Sequence, residues 1–417
     1  MSDLLVTASK RRRARTMGIA FLVFAVAIAG LFGRGIQPGQ QTTFVFQTSR
    51  DEVVAVGDLA VATRPAVYLT ALVTAFLGAW QLARGFTRVD EVLGIVAGLF
   101  VVAFLTWAAR GQSMNVTGLL KSSLLRAVPI TLAALSGVLC ERSGVVNIGI
   151  EGMMLMGAFL AALIGSISQN VWVGLMGAMA GGIVMAALLA VLAIRYKVDQ
   201  IVAGTAINIL ATGLTSYLSS RYLQRNGALN SPPTFRPLAL PGLSKIPIVG
   251  PALFNHTFPV YLTLLLVIGI QFMLFYTRWG LRSRAVGEHP RAADTLGINV
   301  FLTRYVNVLL GGMVAGLGGA YLVLSSVARF DELMTAGKGF IGLAAMIFGK
   351  WVPAGALGSS LIFGFADSLQ TKLAILAVPI PSQFLLMAPY LVTMIVLAGV
   401  VGQARAPAAD GIPYEKE

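Results

Sequence analysis

Long apolar runs recur along this chain at a spacing that leaves few architectures open. They fall at about 17–33, 65–83, 91–108, 119–139, 145–166, 171–194, 201–222, 258–277, 303–326, 339–349, 354–371 and 383–402. A helix needs about 20 apolar residues to cross a bilayer. Inside hydrocarbon every backbone N–H and C=O has to find its partner within the protein. The runs therefore predict an all-α polytopic membrane protein with about 10–12 transmembrane helices and small extracytoplasmic segments. The run at 339–349 is too short to span alone, and Trp351-Val352-Pro353 separates it from the next, so this pair predicts a hairpin or a re-entrant segment. Composition agrees: 57% of the residues are apolar and 12% charged, with 46 further glycines. Too little polar material remains to cover a water-facing surface, which excludes an ordinary soluble enzyme and a disordered chain.

Lys and Arg number 31 against 17 Asp and Glu. In a soluble chain that excess points to nucleic acid. On a membrane chain it marks cytoplasmic loops and contact with anionic headgroups, so the lipid bilayer is the expected partner and nucleic acid is not. Cys140 is the single cysteine and His256 and His289 the two histidines; no disulfide and no metal site follow from such a set. The basic cluster from Lys10 to Arg15 keeps residues 1–16 inside. Alternation from there puts Arg84, Arg142, Arg195, the 278–304 segment, Lys350 and the tail 403–417 on the same side. Lys121 and Arg126 run against this pattern, and an amphipathic lead-in helix at 111–126 on the outer interface accounts for them. The first run ends in Ala27-Ile28-Ala29, which resembles a signal cleavage site; an uncleaved anchor is the favoured reading, and either leaves residue 34 outside.

Two extracytoplasmic segments are long enough to fold. Residues 34–64 alternate at Thr43–Thr48 and again at Val53–Val56, which predicts a small hairpin. Residues 223–257 carry Pro232, Pro233, Pro237, Pro241, Pro247 and Pro251 and predict a stiff, non-helical cap, either a connector or a docking surface.

No phosphate loop is present. Gly337-Lys338-Gly339 lacks both the upstream Gly and the following Ser or Thr of GxxxxGK[ST], and no Ser-His-Asp arrangement is readable. The chain is therefore not expected to hydrolyse ATP or to be an enzyme. The polar stretch Trp279–Asn299 is more informative. Pro290 suits the first position of a helix and Gly297 the residue just past its end, giving a helix of about seven residues with Glu288 near its positive N-terminus. Ala292, Ala293 and Leu296 share a face small enough for a socket in a partner, which marks a cytoplasmic docking helix.

Within Cys140–Phe159, Asn147 and Glu151 lie four residues apart, on one helical face inside an apolar span rich in glycine. Ionisable groups at membrane depth are costly and usually face a cavity or a partner. The pair therefore lines a translocation route, or Glu151 only hydrogen-bonds backbone or a neighbouring helix. Asn208, Gln271 and Asp367 are weaker intramembrane polar candidates for which a structural role is the favoured reading, with Asn208 kept as a candidate for that route. The glycines from Gly311 to Gly319 read as a packing seam.

The stretch LLRAVPITLAALSGVLCERSGVVNIGIEGMMLMGAF at Leu124–Phe159 closely resembles permease subunits of bacterial ATP-binding-cassette importers for nucleosides and simple sugars, within the wider branched-chain amino acid/ribose permease family. VDQIVAGTAINILATGLTSYL at 198–218, GEHPRAADTLGINV at 287–300 and RYVNVLLGGMVAGLGGAYL at 304–322 follow in the same order. The resemblance implies a permease core at 111–402 with a cytoplasmic coupling loop at 278–302. Gly287, Glu288, His289, Pro290, Arg291, Ala292, Ala293, Leu296 and Gly297 would form the coupling helix. Residues 17–110, with about three spans and the 34–64 segment, look like an addition to that core. It further implies separate ATPase subunits holding ATP and Mg, a second permease subunit, related or identical, an extracytoplasmic substrate-binding lipoprotein, and a place in the bacterial cytoplasmic membrane with the N-terminus inside. An ion-coupled secondary transporter is the rival, with only Glu151 and Asp367 for a relay; a membrane-embedded enzyme is a poorer one.

Overall fold

The computed structural model describes residues 2–47, 57–376, 378, 384, 387 and 405–416, with side chains from Ala14 onward and without that of Asp90. The chain divides into two units, one centred on residues 1–119 and the other on 120–244 and 249–370. Among the described residues, nine helices are long and apolar enough to cross a membrane. The run read at 383–402 lies outside the described residues.

In the first unit, α1 (Ser2–Ala27), α2 (Thr63–Ala83) and α3 (Val89–Ala108) form three of those helices, α1 ending in a wide turn at Ile28–Phe32. Their outer faces are apolar and exposed, as lipid contact requires; Val26 and Leu72 are examples. Phe32 packs on Phe100, Phe104 and Trp107 with ring centres 5.3–5.5 Å apart. Between α1 and α2, β1 (Gln41–Val45) pairs antiparallel with β2 (Leu59–Ala62) and parallel with β3 (Ser113–Asn115). The sheet is tied to the helices through the buried Thr42 hydroxyl, which donates to the Thr106 carbonyl at 2.8 Å. The second strand of this hairpin is thus 59–62; the alternation at Val53–Val56 lies outside the described residues.

In the second unit, α4 (Val116–Glu141) carries the chain from that sheet into a bundle with α5 (Ile150–Ser168), α6 (Val171–Ala190) and α7 (Gln200–Leu218). No separate lead-in helix precedes α4: Lys121 and Arg126 lie within one continuous helix, and Arg126 pairs with Asp367 as described below. The proline-rich cap at 223–257 is also less irregular than its prolines predict. It holds a 3₁₀ turn at Gly227–Asn230, the strand β4 (Pro237–Ala239) antiparallel to β5 (Asn255–Thr257), and a short helix α8 (Val249–Leu253). Phe235 fixes the cap by packing edge-on against Trp172 of α6, at 5.1 Å between ring centres.

Then follow α9 (Phe258–Tyr276), α10 (Arg278–Glu288), α11 (Pro290–Thr295), α12 (Val300–Tyr321, with a wide turn to Val327), α13 (Lys338–Phe348) and α14 (Pro353–Ile375). Side-chain caps start several of them: Asp199 accepts from the amides of Ile201 and Val202 at α7, Thr277 from Gly280 at α10, and Asn299 from Leu302 at α12. α4, α5 and α12 are the most deeply buried. α12 crosses α6 so closely that a Cβ at Gly316 would sit 2.2 Å from the Ala178 carbonyl oxygen, and one at Gly182 would sit 2.0 Å from that of Gly312. Small residues at these crossings let two backbones meet.

Candidate functional site

The segment between α4 and α5 is not helical. Glu141 ends α4, residues 142–149 form turns and extended chain with Gly144 at φ +85°, and α5 begins at Ile150. Asn147 and Glu151 therefore do not share a helical face; the i, i+4 reading fails because the chain is extended at Asn147 and turns at Ile148–Gly149 before the helix begins. Asn147 is fully buried, donating to Cys140 Sγ at 3.3 Å, and its Oδ1 has no hydrogen-bond partner among the described residues. Asn208 reaches from α7 to brace this break. Its Oδ1 accepts from the Gly152 amide at 2.8 Å and its Nδ2 donates to the Ile148 carbonyl at 2.9 Å.

Glu151 holds a second helix end. Its two carboxylate oxygens accept from the amides of Gly337 at 2.8 Å and Gly339 at 2.6 Å, the first turn of α13. Those amides have no partner within α13, and the positive end of the helix favours a carboxylate there. α13 runs beside α4: a Cβ at Gly342 would meet Ala133, and one at Gly137 would meet Met346 and Ile150. Its first residues are thus level with the middle of α4, so α5 and α13 both begin in the interior of the bundle. Broken helices with internal ends of this kind line cavities in membrane transporters.

One such cavity, of about 550 Å³, lies between the first half of α4, the β4–β5 pair, the end of α12, the start of α13 and α14. Arg126 Nη1 bonds Asp367 Oδ2 across it at 2.6 Å, with each side chain about a third exposed. Lys338, between the two glycines that Glu151 holds, lines the wall beside them and interacts electrostatically with Asp367, Glu151 and Arg126. The Tyr321 hydroxyl donates to the Leu125 carbonyl at 2.9 Å, and Ser325 Oγ is buried with no hydrogen-bond partner among the described residues.

At the other end of α4 lie α10 and α11. Pro290 opens α11 and Gly297 follows it at φ +79°, as the sequence pattern predicts. The expected face does not form. Ala293 is buried against Val286, Val300 and Tyr414, whereas Ala292 and Leu296 are exposed, Leu296 at 82%. Arg291 and His289 are exposed, Pro290 half-exposed, and Glu288 turns to accept from the Ala408 amide at 3.2 Å. Gly287 is packed too tightly for a side chain, since a Cβ would lie 2.3 Å from the Arg142 carbonyl oxygen.

Sequence reasoning missed what buttresses this helix. Residues 405–416 lie across α10–α12: the Ala409 amide donates to the Gly287 carbonyl at 2.9 Å, Arg304 Nη1 donates to the Ile412 carbonyl at 3.0 Å, and Tyr414 packs on Phe301. Asp410 is hydrogen-bonded to Glu141, and burial pushes its carboxyl up to about 6 despite the nearby Arg304. Burial also lowers the Arg142 guanidinium, reinforced by Arg284. Arg142 Nε donates to the Trp351 carbonyl at 2.9 Å, which fixes the α13–α14 turn. The available signals were Asp410 and Tyr414, set among the small and apolar residues of the tail.

The model of the branched-chain amino acid transport system/permease component family matches residues 119–401, beginning where the second unit does. The guanosine ABC transporter permease protein NupQ of Bacillus subtilis is 43% identical over 71% of this chain and 95% of its own length. The nucleoside ABC transporter permease protein NupC of Lactococcus lactis is 41% identical over 73% of this chain and 99% of its own length. The putative glucose ABC transporter permease protein TsgC13 of Haloferax volcanii is 38% identical over 61% and 77% respectively. No solved structure matches the chain.

Proposed function

This chain belongs to the branched-chain amino acid transport system permease family, and from that premise we propose that it is the membrane-spanning permease subunit of an ATP-driven importer for nucleosides. The observation that carries the reading is the pairing of family membership and two nucleoside-permease relatives with a short capped helix, α11, that presents Leu296 outward. An apolar side chain held clear of its own protein on a short, buttressed helix fits a socket in a partner. That partner is a separate ATPase, because this sequence carries no phosphate loop.

In this reading α11 sits on the cytoplasmic side of the bacterial plasma membrane, and the N-terminus lies on the same side. The cap at 223–257 faces outward toward a substrate-binding lipoprotein. A second permease subunit completes the pore. The broken interior supports the route: Asn147, Glu151 and Asn208 organise the two internal helix ends, and the cavity opens on the same side as the cap. Gly287, Glu288, His289, Pro290, Arg291, Ala292, Ala293, Leu296 and Gly297 carry the coupling, with Gly287, Glu288 and Ala293 holding the helix and Arg291, Ala292 and Leu296 facing the ATPase.

Deleting this chain from cells that otherwise contain the full assembly tests the reading. Uptake of labelled nucleosides is expected to fall to background while pentose and glucose uptake persists. The reverse pattern assigns the chain to simple sugars, in line with the Haloferax relative.

A further inference from the structure

The geometry points to a binding site for the phosphate of an anionic phospholipid at the end of α9, formed by Arg142 after α4, Arg284 on α10 and Lys350 in the α13–α14 turn. The two guanidiniums share one ring. Their Cζ atoms stand 5.6 Å and 5.0 Å from the centre of Phe275, in the last turn of α9. Lys350 is tied to them, because Arg142 Nη2 donates to its carbonyl at 3.2 Å, and Lys350 itself is exposed.

Three cations so placed repel one another unless an anion joins them. Burial, and after it Arg284, lowers the Arg142 guanidinium from its ordinary range, and Glu288 is the acid that acts the other way. Glu288 is exposed and turned to the Ala408 amide. Arg284 Nε is buried with no hydrogen-bond partner among the described residues, so no fixed acceptor anchors that head group from this side. Arg142 commits Nε and Nη2 to the carbonyls of Trp351 and Lys350, and an arginine carries five N–H donors. A phosphate matches this set, since its oxygens accept from planar guanidiniums in pairs and from an ammonium.

The apolar surface beside the cations decides for a lipid. Ile268 and Phe272 of α9 are exposed, and Tyr276, 73% exposed, stacks on Phe272 with ring centres 5.7 Å apart. A tyrosine at the end of an apolar span marks the level of the headgroups. Residues 268, 272 and 275 follow one another along one line of the helix. An acyl chain lying on Ile268 and Phe272 therefore brings its phosphate to the ring that carries both arginines. A second protein helix would favour small residues along this line instead. Basic pockets between membrane helices on the cytoplasmic side take anionic headgroups, and that is the side to which the reading above assigns α11. Bound there, the phosphate joins the end of α4 to α10, where Gly287 already packs on the Arg142 carbonyl. The lipid thus braces the base of α11, whichever solute the permease carries.

The test counts lipids on the purified full-length chain by native mass spectrometry, in detergent with equal amounts of dioleoylphosphatidylglycerol and dioleoylphosphatidylcholine. Phosphatidylglycerol is expected to stay bound through detergent washes that remove phosphatidylcholine. In Arg284→Gln its retention should fall about fivefold, the effect of one cation near an anionic lipid. Arg282→Gln, which changes an exposed arginine on the same helix, should alter retention little. Equal retention of the two lipids by the wild type, or equal losses in the two variants, overturns the site.

Should Arg284→Gln fail to assemble, Lys350→Gln takes its place under the same criterion, since Lys350 is exposed. Retention unchanged in that variant overturns the site. Inorganic phosphate that displaces phosphatidylglycerol from the wild type at millimolar concentration assigns the cations to a soluble anion, and so overturns the lipid.

Discussion

Glu151 stands in the apolar interior, and its carboxylate is hydrogen-bonded by backbone amides with Lys338 close by. Both oxygens are engaged by amides that the start of α13 cannot satisfy internally. The sequence marks the residue as costly but not its partners, which come from a segment 186 and 188 residues further on. Glu151→Ala should strand two buried donors, at about 1–3 kcal/mol each, and lower the thermal stability of the solubilised complex by several degrees. Glu151→Gln keeps one acceptor and should lose less. Equal melting temperatures for the two variants would show that the amides find other partners. Asp367 and Arg126 teach a related lesson. Each looks out of place alone, Arg126 as a cation on the wrong side and Asp367 as a stray acid in a span. Together, 241 residues apart, they form one ion pair. Two misfits of opposite sign were a readable signal; which misfit met which was not, because nothing local brings them together.

Elements were legible where local chemistry dictates them. The nine spans follow from hydropathy, and the bounds of α11 follow from Pro290 and Gly297, one preset for a helix start and the other free to adopt the positive φ that ends it. The inward or outward sense of α11 was not legible, because the tail that covers Ala293 is more than a hundred residues away. The helix between Asn147 and Glu151 was misread for a nearer reason: an i, i+4 spacing is a helical signal only where the intervening backbone is helical, and glycines there permit it not to be. At this scale Leu296→Arg tests coupling. The side chain is 82% exposed, and the change should alter stability by less than about 0.5 kcal/mol. ATP hydrolysis by the assembled complex should lose its stimulation by loaded binding protein. Full stimulation in that variant would remove Leu296 from the ATPase contact.

Across the molecule, the tail at 405–416 makes the α10–α12 end of the second unit depend on pH. Asp410, facing Glu141 from α4 and Arg304 from α12, has its carboxyl raised from an ordinary 3.8 to about 6 by burial. A group raised on docking contributes stability that is fully present below about pH 3.8 and lost as pH rises through about 6. The tail should therefore be held more tightly at pH 5 than at pH 7.5. Hydrogen exchange at residues 407–414 of the complex in nanodiscs reads this directly: protection should fall between those two values in the wild type and change little in Asp410→Asn. Matching protection in the wild type at both pH values would place the titration elsewhere.

The same tail has a consequence in time. Residues 405–416 leave the ribosome after all nine of these spans, yet they supply the wall against which Ala293 and Gly287 rest. The surroundings of α11 are thus completed by a segment made after these spans. A chain stalled or cut before residue 405 is expected to insert these spans and still lack the wall on which Ala293 and Gly287 rest.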